Sequence, residues 1–259
     1  MPDIDRAAEI IYQCLLNGDA VDYVQSNFWP ETAEEGYAIQ AALHQQLGGP
    51  IKGWKIAATA IAGRVHINVD RPLAGRITSS MCHADGAQVP FGSNRMAVAE
   101  AEFVFTLGRD LPPRKSEYTN EEVALSIQSL HAGLEFPDSR FVDFTLPGTA
   151  GLIADNACAW QFVLGDPTSE KFDPASLSDH PTSLIINNRT VTTGQGSDAL
   201  GGPLTALKWI ANTLSYLGIG LQAGQFVTTG VTGLPVAIKR GDTVRADLGK
   251  FGSATATLV

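Results

Sequence analysis

A chain of 259 residues, 44% hydrophobic and 17% charged, has the composition of a globular protein with a closed core, and its length admits one large domain or two small ones. The formal net charge of −9, with a pI near 5.0, argues against a nucleic-acid surface and against an electrostatic membrane anchor, both of which need clustered basic residues. It leaves room for a small anionic substrate, because a bound cation reverses the local field.

The first residues, MPDIDRAAEIIYQCLL, lack a basic run and a small-residue cleavage site, so no secretory signal is expected. No apolar run approaches the length of a membrane-spanning helix. Cys14, Cys82 and Cys158 are odd in number and far apart, with no Cys-x-x-Cys, which argues against a disulfide framework or a zinc site and for a reducing, cytoplasmic setting. Residues 5–17 carry apolar positions at helical spacing and stop at Gly18. Residues 32–47 read as a second amphipathic helix, with Thr32 as its cap, Glu34 and Glu35 favourable near its N-terminus, and Gly48-Gly49-Pro50 as its stop.

From Ile51 onward, strand-like runs alternate with Gly, Pro and Asp turns: IKGWKIA, EAEFVFTL, CAWQFVLG, SLIINNRTV, GQFVTTG, DTVRADLG and SATATLV. Two helices interrupt them. One is predicted over 120–132 with Asn120 as cap, the other over GPLTALKWIANTLSYLG with Pro203 in its first turn. With no repeat and no linker, the pattern predicts an α+β fold forming a single domain over 1–259. In it a helical segment, 1–50, packs on a β-rich core, 51–259.

Two stretches are chemically unusual. In AVAEAEFVFTLGRDL, residues 97–111, strand alternation puts Glu100 and Glu102 on one face between Val98 and Val104, with Ala99, Ala101, Phe103 and Phe105 on the other. Two carboxylates in apolar surroundings repel and lose hydration, so one must take up a proton unless a cation lies between them. Hard oxygen ligands suit magnesium or manganese rather than zinc, and Glu135, alone in the apolar segment GLEF, is the candidate third ligand. The bland alternative is an edge strand whose glutamates face water. In GWKIAATA, Lys55 is either a lysine snorkelling to solvent or a partly buried one beside the metal. There it would hold an anionic substrate or transfer a proton, with burial lowering its pKa.

The ordered set GWKIAATA, EAEFVFTLGRDL, GLEFPDSR, ADNACAWQFVLG, GGPLTALKWIANTL and GQFVTTGVTG with RGDTVRADLGKFGSATATL resembles the 2-keto-4-pentenoate hydratase group of the fumarylacetoacetate hydrolase superfamily. That group also includes 2-oxohepta-3-ene-1,7-dioate hydratase and 4-oxalocrotonate decarboxylase. The resemblance runs from about residue 30 to the C-terminus. It implies a mixed β-roll holding Mg²⁺ or Mn²⁺ on Glu100, Glu102 and Glu135, with Lys55 as the catalytic lysine. It further implies a small 2-oxo or 2-hydroxydienoate acid as substrate, homo-oligomerisation, and association with a related pathway enzyme. Asp138 and Arg140, in PDSR, are read as residues that orient ligands, against a turn Asp and a surface Arg. Thr229 and the Gly230 backbone are read as donors to an oxyanion or carboxylate, against a plain hairpin turn. Two positions depart from the family pattern: Leu73 stands where an acid is usual, and Cys158 where a hydroxyl is usual, which points to a changed pocket. The implied reaction is addition of water to a 2-hydroxy-2,4-dienoate to give a 4-hydroxy-2-oxo acid. Decarboxylation of a 2-oxo-enedioate, acylpyruvate carbon–carbon hydrolysis and a non-catalytic partner subunit remain alternatives. His66 and His131, the candidates for activating water, have ordinary structural readings as well, His131 being placed at a helix end.

Overall fold

A computed structural model describes residues 2–24 and 28–259. In chain order its elements are α1 (Ile4–Asn17), α2 (Ala33–Leu47), β1 (Ile51–Ala57), α3 (Ile61–His66), β2 (Leu73–Thr78), β3 (Cys82–Ala84), β4 (Ala87–Val89) and β5 (Val98–Leu107). There follow α4 (Asn120–Ser126), β6 (Ile127–Phe136), α5 (Gly148–Ala154), β7 (Gln161–Leu164), β8 (Pro181–Ile186) and β9 (Arg189–Gln195). The chain ends with α6 (Pro203–Tyr216), β10 (Phe226–Val231), β11 (Val236–Ala237), β12 (Thr243–Asp247) and β13 (Ser253–Leu258).

A curled mixed sheet runs β2-β1-β10-β5-β6-β7-β3, with β11 added beside β5. A second sheet runs β4-β13-β12-β8-β9. The outward residues of β5 and β6, among them Phe103, Phe105, Leu130 and Ala132, share one core with Val244, Ala246, Ala254 and Ala256 of the second sheet. This is the expected α+β roll. The N-terminal helices join the same core through Ala7, Ile11, Ile39 and Leu43. Both helices begin as the sequence indicates. Thr32 accepts from the Glu35 N–H while Glu35 reaches back to the Thr32 N–H, a reciprocal cap.

Three expectations need correction. The helix predicted over 120–132 ends at Ser126, and its cap is Thr119, not Asn120, because Thr119 and Glu122 close the reciprocal cap one residue earlier. Residues 127–132 instead extend β6, where they satisfy the hydrogen bonds of β5. SLIINNRTV is two strands, since Asn187 and Asn188 both adopt positive φ (49° and 63°) and turn the chain. CAWQFVLG becomes a strand only at Gln161, because a left-handed turn precedes it.

Candidate metal centre

The inner face of the roll is set by strand alternation. Along β5 it reads Val98, Glu100, Glu102, Val104. Val104 belongs to an apolar plug with Ile77, Met81, Phe162 and Phe226, the two phenyl rings stacked at 5.3 Å. Beyond the plug the strand turns acidic. Register places Glu135 of β6 directly opposite Glu100, and Gly133 opposite Glu102. A side chain at Gly133 would come within 2.6 Å of Val104 and Phe162, so only glycine lets β5, β6 and the plug close up here. The result is that oxygens of Glu100, Glu102 and Glu135 lie within 4.8 Å of one another.

Lys55 of β1 reaches the same cluster. It is 2% exposed, so it does not snorkel; its ammonium lies 2.8 Å from Glu135 Oε1 and donates to the Ala157 carbonyl at 2.9 Å. Gly75, opposite Lys55 on β2, makes space for it: a Cβ there would overlap the Asn156 carbonyl oxygen and press on the lysine stem at 3.1 Å. An ammonium has three donors, and these contacts use two. Burial by itself would lower the Lys55 pKa, as the sequence reading assumed. Attraction to Glu135 and Glu100 outweighs burial, and the pKa is raised instead.

The carboxylates are also shifted upward, which for them disfavours the charged form. Burial, then repulsion from Glu135, push Glu100 up to about 8 despite the pull of Lys55. Burial, then Glu135 and Glu100, push Glu102 well above the usual range. Glu102 Oε2 accepts the Gly230 N–H at 2.7 Å, but Glu102 Oε1 and Glu135 Oε2 are buried with no hydrogen-bond partner among the described residues. Orphaned carboxylate oxygens in a buried site are costly. Three carboxylates facing one ammonium leave two negative charges unbalanced. This donor set and charge deficit fit one hard divalent cation.

A cavity of about 210 Å³ opens beside the cluster, with Lys55, Glu100 and Cys158 at its inner end. Cys158 ends a run of three residues with positive φ, Asn156 (52°), Ala157 (51°) and Cys158 (58°), a conformation that costs energy for any residue with a side chain. The surroundings hold it in place. Asn156 clamps the Arg76 backbone, accepting its N–H at 2.7 Å and donating to its carbonyl at 2.8 Å. Asp155 is ion-paired with Arg140 and accepts the Ser139 hydroxyl at 2.7 Å. Arg140 also donates to the Ala159 carbonyl at 2.9 Å. This turn delivers the carbonyl that fixes Lys55.

The remaining sequence candidates fall as follows. Arg140 is buried, not at the surface, and supports the left-handed turn without touching the carboxylate cluster. Asp138 accepts the backbone N–H groups of Arg95 and Met96 at 2.8 and 3.3 Å, anchoring the approach to β5. Gly230 donates as expected, but to Glu102. Thr229 does not face the site: its hydroxyl donates to the Phe103 carbonyl at 3.1 Å, and Thr228 is the residue opposite Val104, its hydroxyl unpartnered among the described residues. Leu73 is buried in the core and does not line the cavity, whereas Cys158 does. Burial, then Asp155, raise the Cys158 thiol to about 12, so it is a neutral group. His131 lies mid-strand, opposite Val104 and behind the plug, bonded to Thr106, Ser129 and the Gly165 carbonyl. His66 is at the cavity rim. Asp155, Ser139 and Asn156 were not assigned from sequence; the Asp-Asn doublet ahead of a small residue was their one signal.

Residues 59–259 match the family model described as fumarylacetoacetate (FAA) hydrolase C-terminal. The chain is 31% identical over 254 residues to the 2-keto-4-pentenoate hydratase of Paraburkholderia xenovorans (strain LB400), covering 96% of this chain and 92% of that one. It is 32% identical to the 2-keto-4-pentenoate hydratase 2 of Dechloromonas aromatica (strain RCB), with 97% and 96% covered. Among solved structures, the 4-oxalocrotonate decarboxylase of Pseudomonas putida G7, complexed with magnesium and adipate, superposes with a TM-score of 0.88 over 99% of this chain and 97% of that chain. At 24% identity this likeness speaks to fold. Roll, acidic cluster and these matches together place the chain in the fumarylacetoacetate hydrolase family.

Proposed function

We propose that this protein is a hydro-lyase, dependent on Mg²⁺ or Mn²⁺, that adds water to a 2-hydroxy-2,4-dienoate to give a 4-hydroxy-2-oxo acid. The carrying observation is the cluster of Glu100, Glu102 and Glu135, the last two buried, beside a lysine with one donor unused, with Glu100 and Lys55 lining a cavity. The bound ion would supply a Lewis acid for the developing negative charge on the substrate's 2-oxygen.

The chain's own residues divide the remaining work. Glu102 is steadied through Oε2 by the Gly230 N–H, which leaves Oε1 free as a ligand atom. Lys55 is fixed by Glu135 and Ala157, so its third N–H is the donor for the substrate carboxylate. Among the described residues that line the cavity, Lys55 and His66 are the nitrogen groups able to carry a proton to the dienol. The neutral Cys158 thiol fills space beside Lys55 and brings no charge.

The test compares metal-depleted protein with protein supplemented with Mg²⁺ or Mn²⁺. Loss of 2-hydroxypenta-2,4-dienoate absorbance is followed, products are weighed by mass spectrometry, and Mg²⁺ binding is measured by calorimetry. The expected outcome is metal-dependent gain of one water, lowered by more than about 100-fold in Glu100→Gln together with Mg²⁺ affinity. Loss of carbon dioxide or carbon–carbon cleavage in place of hydration would change the reaction assignment. Mg²⁺ binding without turnover of any such acid would replace the enzyme reading with that of a non-catalytic partner subunit.

A further inference from the structure

The cavity has two chemically different ends. At the inner end are Glu100 and Lys55. One step outward on the same face of β5 is Val98, about 7 Å along the strand from Glu100. From there to solvent the lining includes Met96, Ile67, Phe144 and Leu234. The outer end presents no arginine or lysine among the described residues; Arg64, on the adjoining α3, does not line it. Its one ionisable side chain is His66, which packs against the Phe144 ring with centroids 6.0 Å apart. The apolar character continues past the mouth, where Leu234 is 68% exposed and Ile61 and Val65 of α3 stand free.

A charged group placed against such a wall loses its hydration and gains no partner, whereas an alkyl or aryl group gains by leaving water. We infer that Met96, Phe144 and Leu234 form a tail subsite that selects monocarboxylic substrates carrying an alkyl or aryl group at the end remote from the 2-oxo acid, and that rejects dicarboxylates. The inference rests on the proposed 2-oxo acid site and goes beyond it by naming which members of that class are taken. It separates this chain from a decarboxylase of enedioates, whose substrate carries a second carboxylate at that end.

The test is calorimetric titration of the Mg²⁺-loaded protein with three non-reacting ligands: pyruvate, 2-oxohexanoate and 2-oxoadipate. They share one head, and the last two have chains of equal length that differ in the terminal group. The expected result is that 2-oxohexanoate binds at least about ten-fold more tightly than either of the others, by burial of its methylenes. Leu234→Arg, at an exposed position, is expected to narrow the preference for 2-oxohexanoate over 2-oxoadipate to less than about three-fold. Binding of 2-oxoadipate as tightly as 2-oxohexanoate, or no gain of 2-oxohexanoate over pyruvate, overturns the tail subsite while leaving the 2-oxo acid site standing. Failure of all three to bind, with Mg²⁺ bound normally, overturns the 2-oxo acid site and the subsite with it.

Discussion

Arg140 and Asp155 do not touch the carboxylate cluster, but they brace the turn whose Ala157 carbonyl accepts from Lys55. Their pair is buried, and Arg140 also ties down the Asp155 and Ala159 carbonyls around the left-handed turn that holds Lys55. Removing one member of a buried ion pair leaves the other charge uncompensated. Arg140→Met is therefore expected to lower stability by about 3–5 kcal/mol in urea unfolding, with the lysine less firmly fixed. The sequence displayed these residues without their direction. Glu-x-Glu was legible because a period of two dictates a shared face, and the opposing Glu135 was the lone acid in an apolar run. Which way Asp138 and Arg140 point is decided by how the loops fold back, and no local spacing carries that. The same limit left the burial of Lys55 open between a snorkelling and a partly buried lysine, and the two attracting glutamates were not weighed against burial.

Strand β6 contains both the main misreading of secondary structure and the main geometric device of the site. Ile127, Leu130 and Leu134 stand at intervals of three and four, which imitates a helix continuing from α4. The competing period of two, Ser129, His131, Gly133, Glu135 on the inner face, prevails because β5 must be paired along its length. Gly133 then permits the close approach of Val104 and Phe162 that sets the spacing of the acids. Gly133→Ala forces a methyl into that contact. It is expected to destabilise by about 1–3 kcal/mol and, by spreading β5 from β6, to weaken Mg²⁺ binding in calorimetry. A substitution merely harmful to folding would leave the affinity of the folded fraction unchanged.

For the molecule as a whole, the acidic cluster couples stability to pH and to metal. Glu100 is raised from its ordinary 4.5 to about 8, so the metal-free folded protein binds more protons than the unfolded chain between those values. Its stability then falls as pH rises through that window. Metal-free protein is expected to show a Tm that declines from pH 5 to pH 8. Saturating Mg²⁺ is expected to reverse the decline, because the ion binds the ionised carboxylates of the folded state and releases their protons. A differential scanning series at four pH values, with and without Mg²⁺, checks both slopes. At this scale the α+β class and the N-terminal helices could be read from periodicity and caps. The order of strands could not: β1 pairs in parallel with β10, across more than half of the chain, and nothing local to either strand announces the other.

The apolar plug of Ile77, Met81, Val104, Phe162 and Phe226 adds one more consequence. It stands beside the acids on the inner face of β5 and does not line the cavity, so a ligand meets Glu100 from the Val98 side of the strand while the opposite approach is filled by hydrocarbon that also keeps water from the carboxylates.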